Sequence, residues 1–231
     1  MTIPQANPTL QVVHKPPVNY RIAEFGFGMP SPTKPIAGVV VLTDGSNSDG
    51  RRLVNHPSWE EFAKEEGLVL CGSHLVDEVP TSIEGYADAS GGSGQALLDA
   101  VDKYLVEEGK IEDPTKIPLF LWGFSAGGQF SYEFACWKPE RVGGFVANKG
   151  GVYYHALAPK ATRELPAMWF LGLQDAGFRV AIIQGIYLLN RQAGADRWYL
   201  VEEPVGHAIG RSEFHSIQFF KRILRKRELA R

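Results

Sequence analysis

Three residues far apart in the chain could together make a nucleophile: Ser125, Asp175 and His207. A serine hydroxyl attacks poorly until a base takes its proton, and the base needs a group to orient it. Ser125 stands in Gly123-Phe124-Ser125-Ala126-Gly127, the G-x-S-x-G spacing of a sharp strand-to-helix turn. The glycines have a physical reason. The turn is so tight that a side chain two residues before or after the serine would clash. Such a turn lifts the hydroxyl above the sheet edge and leaves the Ala126 N–H at a helix N-terminus, aimed at a developing oxyanion.

The base has to come from six histidines. His14 precedes any core strand, His56 enters a helix before Pro57, and His215 belongs to an amphipathic final helix. His74 and His155 follow strands but lie ahead of the acid, against the Ser…Asp…His order that accompanies this turn. His207 follows the last strand, with Gly206 before it and Gly210 after, so its backbone is free to swing over the turn. For the acid, Asp175 closes Gly172-Leu173-Gln174-Asp175 just past an apolar strand; its alternative role is a helix N-cap. No Asp or Glu occurs from Val142 to Arg163, and Glu202 and Glu203 remain as alternatives near His207. A second oxyanion donor is expected from the N–H of Ser46 or a neighbour, in the loop Thr43–Gly50. Trp122, Tyr153, Tyr154 and Phe178 lie near strand ends and could line an aromatic substrate pocket; core packing is the other reading of each.

Strand ends must gather these groups. Apolar runs read as strands at Tyr20–Phe27, Ile36–Leu42, Leu68–Ser73, Ile117–Trp122, Arg141–Ala147, Ala167–Leu171 and Arg197–Val201. Helices are expected at Trp59–Glu66, Gln95–Glu108, Gln129–Cys136 after the serine turn, Phe178–Asn190 and Ser212–Arg227. Strands alternating with helices imply βαβ units and a mostly parallel sheet of the α/β class. Residues 1–19 read as an extended arm and residues 20–231 as one domain, with no composition break and no insertion long enough for a large lid.

Composition narrows the class. At 231 residues, 44% hydrophobic and 22% charged, the chain is an ordinary globular length and mixture. A formal net charge of −2 gives no electrostatic reason to expect nucleic acid. No apolar run spans a membrane and the N-terminus lacks a signal-peptide pattern, so a soluble cytoplasmic protein is expected, with a secreted origin whose leader has been removed as the alternative. Cys71 and Cys136 read as buried thiols, and the sequence leaves open whether they pair. Gly45-Ser-Asn-Ser-Asp-Gly50 fails as a phosphate loop because Arg51-Arg52 follows where Lys and Ser or Thr are needed. No Cys/His spacing calls for a metal.

With Gly-Phe-Ser-Ala-Gly-Gly at 123–128 and Ser125, Asp175 and His207 in order, the chain resembles the α/β-hydrolase superfamily from about Tyr20 to Arg227. Within it, the chain looks most like small lidless carboxylesterases related to polyhydroxybutyrate depolymerases, feruloyl esterases and dienelactone hydrolases. The resemblance implies a Ser-Asp-His triad, an acyl-enzyme, a small-molecule or polymeric ester substrate and no cofactor; it leaves the oligomeric state unknown. The same triad could cut a thioester or a peptide. In one respect the chain departs: such proteins commonly carry His-Gly after the third strand, where this one has Asp44-Gly45. A carboxylate there puts negative charge near the oxyanion hole unless it is turned away and hydrogen-bonded. Asp44 therefore keeps open a non-catalytic, ligand-binding alternative.

Overall fold

Among the described residues, eight strands form one sheet. This is a computed structural model, describing residues 8–31, 33–79 and 83–229. The start of the arm, Pro32 within the proline-rich stretch 29–35, residues 80–82 and the last two residues lie outside the described residues. The strands are β1 (Thr9–Gln11), β2 (Tyr20–Gly28), β3 (Gly38–Thr43), β4 (Leu68–Asp77), β5 (Leu119–Phe124), β6 (Val142–Asn148), β7 (Ala167–Gly172) and β8 (Arg197–Glu202), and they pair in the order β1-β2-β4-β3-β5-β6-β7-β8. From β4 to β8 all neighbours are parallel, while β2 is antiparallel to β4 and to β1. Thr9–Gln11 of the arm thus pairs with Glu24–Gly26 and covers the outer side of β2. Among the described residues, six α-helices accompany the sheet: α1 (Pro57–Glu66), α2 (Ser93–Glu107), α3 (Ala126–Trp137), α4 (Lys160–Arg163), α5 (Gly177–Gln192) and α6 (Ser212–Leu229). Among the described residues there is no cap domain.

The central strands are apolar on both faces because helices cover both. Their period of two divides the core. Leu119 and Leu121 of β5 join Phe130 and Phe134 of α3 in one cluster. Phe120 and Trp122 point the other way, into a second cluster with Trp59 and Phe62 of α1 and Phe220 of α6. Parallel strands all end on one side, and there the loops after β3, β5, β7 and β8 meet. No helix among the described residues is long and apolar enough to cross a membrane. Cys71 and Cys136 are both free and buried.

Candidate active site

Ser125 joins β5 to α3 at φ 55° and ψ −121°, a conformation L-residues rarely adopt. Its N–H donates to the Asn148 carbonyl on β6 at 2.8 Å, and its own carbonyl accepts from Gly128 and Gln129. The flanking glycines are required by contact. A methyl group on Gly123 would stand 1.9 Å from the Gly127 carbonyl oxygen; one on Gly127 would stand 2.1 Å from that of Thr43. Backbone must pass where those side chains would be. Ala126 and Gly127 are the first residues of α3, where backbone N–H groups lie ahead of the first intrahelical bonds.

His207 arrives on the loop after β8. Its Nε2 lies 3.0 Å from Ser125 Oγ and its Nδ1 2.8 Å from Asp175 Oδ2. Phe124 lies beside its ring, with centroids 5.0 Å apart. Asp175, on the loop after β7, has its side chain buried while the His207 ring is about a third exposed. The second Asp175 oxygen accepts the Ala176 N–H at 2.7 Å and faces the Arg179 guanidinium at 3.6 Å. This carboxylate is therefore fixed by one backbone donor and a nearby cation while it faces the imidazole.

Below the His207 loop is a polar network that sequence reasoning missed. Lys149 follows β6 at φ 53°, fully buried, and its ammonium donates to Asn148 Oδ1 at 3.1 Å and to Glu202. The other Glu202 oxygen accepts the Arg211 N–H at 2.6 Å. Asn148 Nδ2 donates to the Ile209 carbonyl at 3.2 Å and to Ser212 Oγ at 2.7 Å. These groups bind both ends of the segment that carries His207. Glu202, the alternative acid, is thus occupied by Lys149. The only sequence signal was Asn148-Lys149, a polar pair ending an apolar strand; Arg179 stood one helical turn past Asp175.

On the opposite side of Ser125 runs the loop after β3. A methyl on Gly45 would touch Ser125 Cβ and the Phe124 ring, each at 3.7 Å. Asp44 is buried and both its oxygens are used: Oδ1 accepts the Gly45 N–H at 2.8 Å, and Oδ2 accepts Arg52 Nη2 at 2.6 Å. Ser46, next along, is exposed, and its N–H has no hydrogen-bond acceptor among the described residues. Asn47 braces the turn, accepting the Asp77 N–H at 2.9 Å and donating its own N–H to Tyr86 Oη at 3.3 Å.

The four aromatic residues divide. Phe178 is 54% exposed at the start of α5, with Arg179 over its ring, and Tyr154 is 47% exposed. Trp122 is placed elsewhere. It is buried against Trp59 on the α1/α6 side, because its strand alternation sends it away from α3. Tyr153 packs against Tyr132 and Trp169 in the other core layer, and burial raises the pKa of its phenol.

No protein-family model matches the sequence, and no curated protein matches it at the sequence level. Solved structures do match. A ferulic acid esterase aligns with 95% of this chain and 99% of its own, at a TM-score of 0.68 and 12% identity. The chain has the α/β-hydrolase fold. LpqC, a poly(3-hydroxybutyrate) depolymerase from Bordetella parapertussis, gives 0.68 and 14% over 93% of this chain and 90% of its own. FphF, a fluorophosphonate-binding serine hydrolase from Staphylococcus aureus in its substrate-bound form, gives 0.61 and 13% over 95% and 99%.

Proposed function

We propose that this α/β-hydrolase-fold protein is a serine esterase that cleaves carboxylic esters through an acyl-enzyme on Ser125. The observation that carries the reading is the unbroken chain from Ser125 Oγ to His207 Nε2 at 3.0 Å and from His207 Nδ1 to Asp175 Oδ2 at 2.8 Å, with the serine on a strained turn. With Asp175 ionised, His207 Nδ1–H donates to it, which leaves Nε2 to accept the serine proton. Oγ attacks the ester carbonyl, and the tetrahedral oxyanion falls to the N–H groups of Ala126 and Ser46, each worth about 3 kcal/mol of barrier. His207 then protonates the leaving alcohol. A water, deprotonated by the same nitrogen, releases the acid. Asp44 is compatible with this reading because its charge is matched by Arg52 and its other oxygen faces the Gly45 amide. Phe178 and Tyr154 offer exposed aromatic surface to a small or polymeric ester, and the chemistry needs no cofactor.

The test is hydrolysis of p-nitrophenyl esters from acetate to longer acyl chains by wild type and Ser125→Ala, with thioester and peptide substrates alongside. Turnover of the esters that falls at least about 10⁴-fold in the variant is expected, together with labelling of Ser125 by an organophosphate. A wild type that is inert on every ester and unlabelled would overturn the esterase reading.

A further inference from the structure

Helix α3 carries a second group of reactive side chains, at the end away from Ser125. Glu133 and Cys136 stand three residues apart on one face, and His155 reaches them from the loop after β6. One carboxylate oxygen, the thiol sulfur and one imidazole nitrogen all lie within 4.8 Å of one another. His155 Nδ1 and Glu133 Oε2 are in hydrogen-bond contact at 2.5 Å. The other carboxylate oxygen is held still by two backbone donors, the N–H groups of Tyr154 at 2.7 Å and His155 at 3.1 Å. Glu133 and Cys136 are buried, whereas the His155 side chain is 45% exposed and opens the cluster to solvent.

We propose that Glu133, Cys136 and His155 form a binding site for a divalent transition metal ion, with zinc the best match. Sulfur, imidazole nitrogen and one carboxylate oxygen make the donor set that zinc takes in tetrahedral sites, whereas magnesium and calcium want oxygen alone. Three protein ligands leave the fourth position to water on the open His155 side. The two amides on Glu133 Oε1 supply the outer hydrogen bonds that orient a ligating carboxylate. Uptake with a neutral His155 balances simply. The Cys136 thiol gives one proton to solvent, and the His155 ring hydrogen moves from Nδ1 to Nε2, freeing Nδ1 for the metal. The bound ion would clasp the segment after β6 to α3, a segment already held there by Gln129, whose Oε1 accepts from Gly151 at 2.8 Å and Val152 at 3.1 Å. The site shares no residue with the Ser125 centre, so either assignment can fail alone.

The experiment is cobalt(II) binding to the full chain, with the metal also supplied during expression so that burial of Cys136 does not limit access. One equivalent of cobalt is expected, with a thiolate-to-cobalt charge-transfer band in the near ultraviolet that zinc abolishes. Cys136→Ala should lose the band, and Glu133→Gln and His155→Ala should each weaken binding at least about 10-fold. Ester hydrolysis should be unchanged in His155→Ala, which alters a half-exposed side chain and keeps the fold testable if Cys136→Ala does not express. Absence of the band in wild type loaded by either route, or a band that survives in Cys136→Ala, overturns the site. Unweakened binding in His155→Ala does the same.

Discussion

On one side of Ser125, the loop that carries His207 rests on a buried charge pair; on the other, the loop that carries Ser46 rests on a pair whose cation stands in solvent. Lys149 is wholly buried and Glu202 nearly so; Asn148 Oδ1 accepts from the Lys149 ammonium, the Arg211 amide donates to Glu202, and Ser212 in turn holds Asn148. Asp44 is equally buried, but the Arg52 side chain opposite it is 62% exposed. On the proposed mechanism, the difference follows from what each loop would have to do. A base must be held to within a few tenths of an ångström of its partners, and a buried network admits few alternative arrangements. An oxyanion donor is a backbone amide, already fixed by its turn, so its loop needs only a neutral field.

The largest effect is expected at the link between the His207 loop and the rest of the site. Asp175→Asn keeps the size and the neighbouring donors but invites the wrong His207 tautomer, so kcat should fall about 10⁴-fold, near 5 kcal/mol of barrier, with the melting temperature little changed. Ester kinetics and thermal unfolding of the same preparation check both halves. A fall below about 10-fold would reduce Asp175 to a brace of its own turn through the Ala176 N–H.

Next in size is the anchor itself. Lys149→Met leaves the Glu202 carboxylate without its cation, and a broken buried pair costs about 3–5 kcal/mol. For a chain of this length that lowers the melting temperature by roughly 10 °C. Activity should fall too, because the loop that positions His207 is released, and the double variant Lys149→Met/Glu202→Gln should recover most of the stability while keeping an acceptor for the Arg211 amide. If Lys149→Met alone is neutral, the buried pair holds the His207 loop no more firmly than the exposed pair holds the Ser46 loop.

Part of this arrangement is legible in the sequence and part is not. The meeting of Ser125, Asp175 and His207 could be read because each follows the end of a parallel strand, and parallel strands end on one side. The strand and helix segments were visible from apolar runs, although β4 continues past Ser73 to Asp77 and takes His74 into the sheet beside Glu24. Lys149 and Glu202 could not be paired, since they come from β6 and β8, which are not even neighbours in the sheet. Trp122 shows the limit of proximity along the chain. It is three residues from Ser125, yet the alternation of β5 turns it into the opposite layer. The Glu133, Cys136 and His155 cluster was invisible for a similar reason, because its third member joins through the fold and not through spacing.

The smallest effect is expected at the exposed pair, and its sign is the informative part. Arg52→Ala should cost less than about 1 kcal/mol of stability, as surface-exposed cations do. It nevertheless strips Asp44 of its counter-charge beside the Ser46 loop, and an uncompensated carboxylate opposes an oxyanion; kcat should fall roughly fivefold, about 1 kcal/mol. Asp44→Asn removes the charge and retains an oxygen for the Gly45 amide, so it should leave kcat at or above wild type. The double variant should then no longer respond to loss of Arg52. Because the cation is exposed, the wild-type rate should also drift toward that of Arg52→Ala as ionic strength rises. If Arg52→Ala and wild type turn over esters alike at low salt, the Asp44 charge is not felt where the oxyanion forms. Its pairing then serves only to fix the turn around Gly45, and the departure from His-Gly at this position carries no electrostatic consequence for catalysis.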